Sequence, residues 1–84
     1  MQLNINHAKE FAKILGLPDL KPNSIQNDGN FLFNFKSAKE EGEKVIDPGI
    51  IAGLIQLSKA VGRGDTPADQ LSIQVANIKK ELGL

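Results

Sequence analysis

Two apolar stripes of matching spacing, Ile50/Leu54/Leu57/Val61 and Leu71/Val75/Ile78/Leu82, flank Gly62-Arg63-Gly64-Asp65 and constrain this chain more than any other feature. Residues that recur four and three apart return to the same side of a helix, so each stripe defines a helix with one apolar face. A connection this short makes the two helices antiparallel neighbours, an αα-hairpin. Asp47 followed by Pro48 is the start signal of the first member: an N-cap side chain, then a proline in the turn that needs no N–H from it. That helix is predicted over 48–61, with Gly62 as its left-handed stop. Thr66-Pro67-Ala68-Asp69 repeats the signal, with Thr66 as the cap and Asp69 placed where the helix dipole favours negative charge, and predicts a helix over 67–82.

Projected at about 100° per residue, Ile50, Ile51, Leu54, Ile55, Leu57 and Val61 fill one broad arc of the 48–61 segment. Gln56 and Lys59 are its strongly polar residues on the other side. A helix this apolar is expected to be the buried centre, touching the first helix, the hairpin and the last helix together.

Upstream of this pair the pattern is different. Asn6 is placed to cap a helix over 7–15, with Ala8, Phe11, Ala12 and Leu15 on one face and Gly16 as the stop. His7, beside the cap, reads as a solvent-facing residue rather than a ligand or a base. Leu17-Pro18-Asp19-Leu20-Lys21-Pro22 cannot continue the helix and forms a connector pinned by Leu17 and Leu20. From Asn23 the period shifts from about 3.6 to about 2, the signature of strands. Ser24-Ile25-Gln26 and Phe31-Leu32-Phe33-Asn34-Phe35 make two arms around the turn formers Asn27-Asp28-Gly29-Asn30. Phe31, Phe33 and Phe35 share one face, which must lie against helices or a partner because an isolated hairpin is marginal in water. Ser37 to Lys44 reads as a charged loop, and Glu43-Lys44-Val45-Ile46 as the return of a third strand. The fold expected is therefore a single α+β domain over 1–84: an N-terminal helix, a β-hairpin or short antiparallel meander, and a C-terminal αα-hairpin with a central buried helix.

Chemistry is harder to find. One histidine, no cysteine and no tyrosine leave the serines without a nucleophile context, so no enzyme, cofactor or metal site is expected. Ten basic residues against ten acidic ones give no net charge, which places nucleic acid behind protein as a partner. The Phe31/Phe33/Phe35 face resembles a base-stacking platform, but only four phenylalanines exist in the chain, and core packing is the preferred reading. Arg63-Gly64-Asp65 reads as a helix-connecting turn rather than an adhesion tripeptide or an anion site. The longest apolar run, Pro48 to Ile55, falls far short of the roughly 20 residues that span a bilayer. The N-terminus lacks the basic and apolar regions of a signal peptide. A cytoplasmic protein without a membrane partner is expected.

What remains are two surfaces. Ile73 projects away from the inward stripe of the last helix, with Ala76, Lys80 and, if the helix continues, Leu84 near it. Gly49, Gly53 and Ala60 form a small-residue edge on the middle helix, where another backbone can approach closely; the first helix or the hairpin is the simplest neighbour, a partner helix or second copy the alternative. The function expected is a small non-catalytic protein–protein interaction module, an adaptor, inhibitor or regulatory subunit that can also self-associate. The alternatives are a nucleic-acid-binding regulator using the last helix or the hairpin, and a structural subunit of a larger assembly.

Overall fold

The structure, a computed structural model, describes residues 3–17, 20–25, 30–36 and 41–83, with the side chains of Ile25 and Lys36 excepted. It is an α+β arrangement in the order expected: α1 (Ile5–Leu15), β1 (Lys21–Ile25), β2 (Phe31–Lys36), β3 (Glu41–Ile46), α2 (Pro48–Gly62) and α3 (Ala68–Leu82). The three strands form one antiparallel sheet with β2 in the middle.

α1 starts earlier than the sequence suggests. Asn4, not Asn6, is the cap, and its side-chain oxygen accepts from the backbone N–H groups of Asn6 and His7 at 2.9 and 3.3 Å. His7 is partly buried rather than free in solvent: its Nδ1 accepts from the Asn4 backbone N–H at 3.0 Å, closing a reciprocal capping box. A histidine takes the part usually given to Glu or Gln, so the capping box lacks its usual sequence signature. At the other end Gly16 adopts the left-handed conformation, φ 70°, and Leu17 N–H returns to the Ala12 carbonyl. Leu17 and Leu20 then pin the connector as expected, while Pro18 and Asp19 lie outside the described residues.

The sheet begins at Lys21, so Pro22 belongs to a strand. β1 is an edge strand and its register shifts between Pro22 and Ser24, the two circumstances in which a sheet tolerates a proline. The third strand exists and is longer than the segment from Glu43: Glu41 and Gly42, expected in a loop, pair with Lys36 and Phe35. The turn residues Asn27-Asp28-Gly29 and the segment Ser37-Ala38-Lys39-Glu40 lie outside the described residues.

Phe31 and Phe33 are fully buried and Phe35 nearly so. Across from them on the same face of β3 stand Ile46, Lys44 and Gly42. α1 lies over this face: the Phe11 and Phe33 rings are 5.8 Å apart and tilted by 58°, and Phe31 and Phe33 are 6.3 Å apart. Ala8, Ala12, Leu15, Leu20, Ile51, Leu54 and Ile55 complete the core. Gly42 has a steric role, since a Cβ there would stand 2.9 Å from the end of the Phe35 ring. Lys44 covers the same ring with its ammonium 5.8 Å from the centroid.

α2 lies between α1 and α3, and the widest set of neighbours belongs to α1, which meets β1, α2 and α3. α2 is capped by Asp47, whose carboxylate accepts from Gly49 N–H at 2.7 Å. Its buried residues are Ile51, Leu54 and Ile55, on one flank of the broad arc; Leu57 and Val61 are partly buried and Ile50 is exposed. Gly62 remains helical, and the left-handed residue is Gly64, φ 79°. Asp65 N–H returns to the Ala60 carbonyl at 2.9 Å and Gly64 N–H to Val61 at 3.1 Å, the paired bonds of a Schellman ending two residues beyond the expected stop. Thr66 is not the cap of α3. Pro67 occupies that position without a side-chain bond, so the helix starts one residue later and less firmly tied than its sequence suggests.

A candidate interaction surface on the helical hairpin

α3 has no buried residue. Its stripe of Leu71, Val75, Ile78 and Leu82 rests on the core and is only partly covered. Its far end is held near the sheet, where Lys44 Nζ stands 3.8 Å from the place a Cβ of Gly83 would occupy, a cation beside the negative end of the helix dipole. A helix attached by one partly covered stripe leaves its flanks open.

One flank forms a wall of an open groove of about 860 Å³ between α2 and α3. The α2 wall presents Gly49, Ile50, Gly53, Leu54 and Leu57; the α3 wall presents Gln70, Gln74, Asn77, Ile78, Lys80 and Glu81. The glycine edge expected to receive α1 or the hairpin receives neither. A Cβ at Gly53 would meet nothing within 4 Å, and one at Gly49 would meet only the capping carboxylate of Asp47 at 3.0 Å. The close approach these glycines permit is unused within the chain. Beside them Ile50 is 37% exposed, a large apolar group at the rim of a hollow.

The structure thus brings Gly49, Gly53 and Lys80 into one groove and leaves the other predicted contact residues elsewhere. Ile73 is 52% exposed, and with the exposed Ala76 it lies outside the groove lining. Ala60 is partly buried and does not line the groove, and Leu84 lies outside the described residues. Ile50 and Leu57 were missed as groove residues because the projection assigns the whole arc to the core. The polar wall was legible: Gln70, Gln74, Asn77 and Glu81 recur at helical spacing alongside the apolar stripe.

Other features fall away on geometry. Phe31, Phe33 and Phe35 face the core and present no rings for stacking. Arg63 Nε donates to Asp65 Oδ2 at 2.9 Å, so the ends of the Arg-Gly-Asp turn are paired with each other. A notch of about 530 Å³ between α1 and β1 is floored by Ala12, Leu17 and Leu20 and edged by Lys9, Lys13 and Lys21. Among the described residues no three His, Cys, Asp or Glu side chains gather as a metal site, and no helix is long and apolar enough to cross a membrane.

Helix, three-stranded antiparallel meander and helical hairpin define a small α+β domain whose open surface lies on the hairpin. In comparisons with known proteins the chain matches no family model, no curated protein and no solved structure.

Proposed function

We propose that this protein is a small non-catalytic interaction module, an adaptor, inhibitor or regulatory subunit, that binds protein through the groove between α2 and α3. The observation that carries the reading is the glycine edge: Gly53 sits on a helix with nothing across from it, beside an exposed Ile50. Apolar surface left at a concave site, rimmed by groups able to fix orientation by hydrogen bonds, is what a docking surface requires. The amides of Gln70, Gln74 and Asn77 form such a rim. A cytoplasmic location is part of this proposal, and a fold built without cysteine fits a reducing compartment.

The test is affinity capture from cells of the source organism, with the wild-type chain and the Gly53→Leu variant as baits. Gly53→Leu puts a large side chain into the groove from a position where an added Cβ meets nothing within 4 Å, so capture should fall although the fold persists. Ile73→Asp, on the side of α3 away from its inward stripe and outside the groove lining, asks whether that exposed residue belongs to the same surface. A wild-type chain that is monomeric at high concentration and whose capture is unchanged by both substitutions overturns the reading.

A further inference from the structure

We propose that the capping box of α1 is a proton-sensitive latch, closed on the neutral ring of His7 and opened when that ring becomes imidazolium, so that mild acid frees the first turn of the helix. The direction of one hydrogen bond is what points to it. A backbone N–H can only donate, so the His7 Nδ1 that meets the Asn4 N–H at 3.0 Å must hold a lone pair. The proton of the neutral ring is then on Nε2. Imidazolium carries a hydrogen on both nitrogens and has no acceptor left.

Protonation therefore sets a donor against a donor. It also puts a positive charge into the first turn, where the helix dipole is itself positive and no acidic side chain is present to offset it. Both effects oppose the box. The Glu or Gln usual at this position would not respond in this way, because each keeps a carbonyl oxygen as acceptor whatever the pH. His7 is the one histidine in the sequence, and histidine is the side-chain type that ordinarily changes charge between about pH 5 and 8. The closed turn excludes the second proton and the open one accepts it. The stability the box contributes is thus present at the upper end of that window and is lost as pH falls.

The latch holds more than one bond. Leu3, the residue before the cap, is partly buried against the core, and Ala8, the fourth helical residue, is fully buried in it. These are the two positions of a hydrophobic staple. The bond from the Asn4 N–H fixes the angle at which the chain enters α1, and with it the seat of Leu3. The charged groups of α1 itself are Lys9, Glu10 and Lys13; the elements packed on it bring Lys21 from β1, Lys59 from α2, and Asp69, Lys79, Lys80 and Glu81 from α3. None of them forms an ion pair or hydrogen bond with the His7 ring, so no carboxylate holds the imidazolium in place of the lost bond.

Urea denaturation of the full chain at the two ends of the window, about pH 8 and about pH 5, tests the latch. His7→Gln is the reference, since its amide carbonyl accepts the Asn4 N–H at either pH. The folding constant of the wild type relative to His7→Gln at the same pH should fall about fivefold from the upper to the lower end, the factor that one lost cap represents. His7→Ala, with no acceptor, should fold less well than His7→Gln by a factor that does not change across the window. Nuclear magnetic resonance of the wild type reads the same event without a variant. At the upper end the ring nitrogens should show the proton on Nε2, and the carbon shifts of Ile5, Asn6 and His7 should lose helical character as pH falls. A ratio to His7→Gln that stays constant or rises towards acid, a neutral ring protonated at Nδ1, or a first turn equally helical at both ends overturns the proposal.

Discussion

The two halves of this molecule handle apolar surface in opposite ways. Where α1 meets the sheet, Ala8, Phe11, Phe31 and Phe33 are at 0% exposure, the rings touch at tilted angles, and a position too tight for a side chain is filled by Gly42. Where α2 meets α3, no residue of α3 is buried, Gly53 faces open space, and Ile50 stands at the rim. Both halves contain glycine in an apolar setting, but the consequences are opposite. Gly42 is required because a ring occupies the space of its missing side chain; Gly53 leaves a space that nothing in the chain occupies. Closure on one side and an open groove on the other is the division on which the proposed docking reading rests.

This contrast can be broken most sharply in the closed half. Phe33→Ala removes a fully buried ring in contact with Phe11 and Phe31 and should cost about 3–5 kcal/mol, enough to unfold much of so small a domain at room temperature. Urea denaturation followed by circular dichroism reads the loss; a midpoint close to the wild type would mean that the phenylalanine layer is not the centre of the core. Gly42→Ala is the next in size. Its Cβ would come within 2.9 Å of the Phe35 ring, and displacing a packed ring costs about 1–3 kcal/mol, against an alanine-for-glycine gain of a few tenths. Destabilisation by a methyl added at Gly42, where a methyl added at Gly53 meets nothing within 4 Å, is the direct comparison between the two glycines.

In the open half, Ile78→Ala truncates a side chain that is only partly covered and should cost about 1–2 kcal/mol, roughly half the loss at a closed site. Amide exchange gives the same comparison without mutation: α3 should exchange through a lower-energy opening than α1 or β2, since no α3 side chain is buried. Uniform protection across all three helices would show that the hairpin is as firmly held as the core. The smallest effect belongs to the most conspicuous sequence. Arg63→Ala breaks an ion pair whose partners are 62% and 63% exposed, and the melting transition should move by no more than about 0.5 kcal/mol in stability terms.

Much of the fold was legible because its signals are local. Asp47-Pro48, the left-handed Gly16 and the alternation of Phe31, Phe33 and Phe35 each fix a backbone state through the residues themselves, and each is found as read. The errors arose where two local solutions compete. Asn4 and Asn6 can both cap α1, and the choice went to the one that His7 answers three residues on. Gly62 and Gly64 can both end α2, and the later one lets the carbonyls of Ala60 and Val61 find partners. Glu41 and Gly42 look like loop by composition and become strand because Lys36 and Phe35 pair with them and the Phe35 ring needs a glycine opposite. Of the candidate surface, Gly49, Gly53 and Lys80 were visible, while Ile50 was hidden inside an arc that periodicity assigns to the core.

By itself, then, the sequence determined the order and type of the elements, because capping, φ restrictions and hydrophobic period act within a few residues. Which side of each apolar face is covered was decided by the tertiary structure. The arc of α2 is broad enough to serve several neighbours, and only packing shows that α1 and α3 cover one portion of it and leave the Gly49/Gly53 edge beside Ile50 open. Burial depends on what stands across from a residue, and that neighbour is chosen by chain segments far away in sequence.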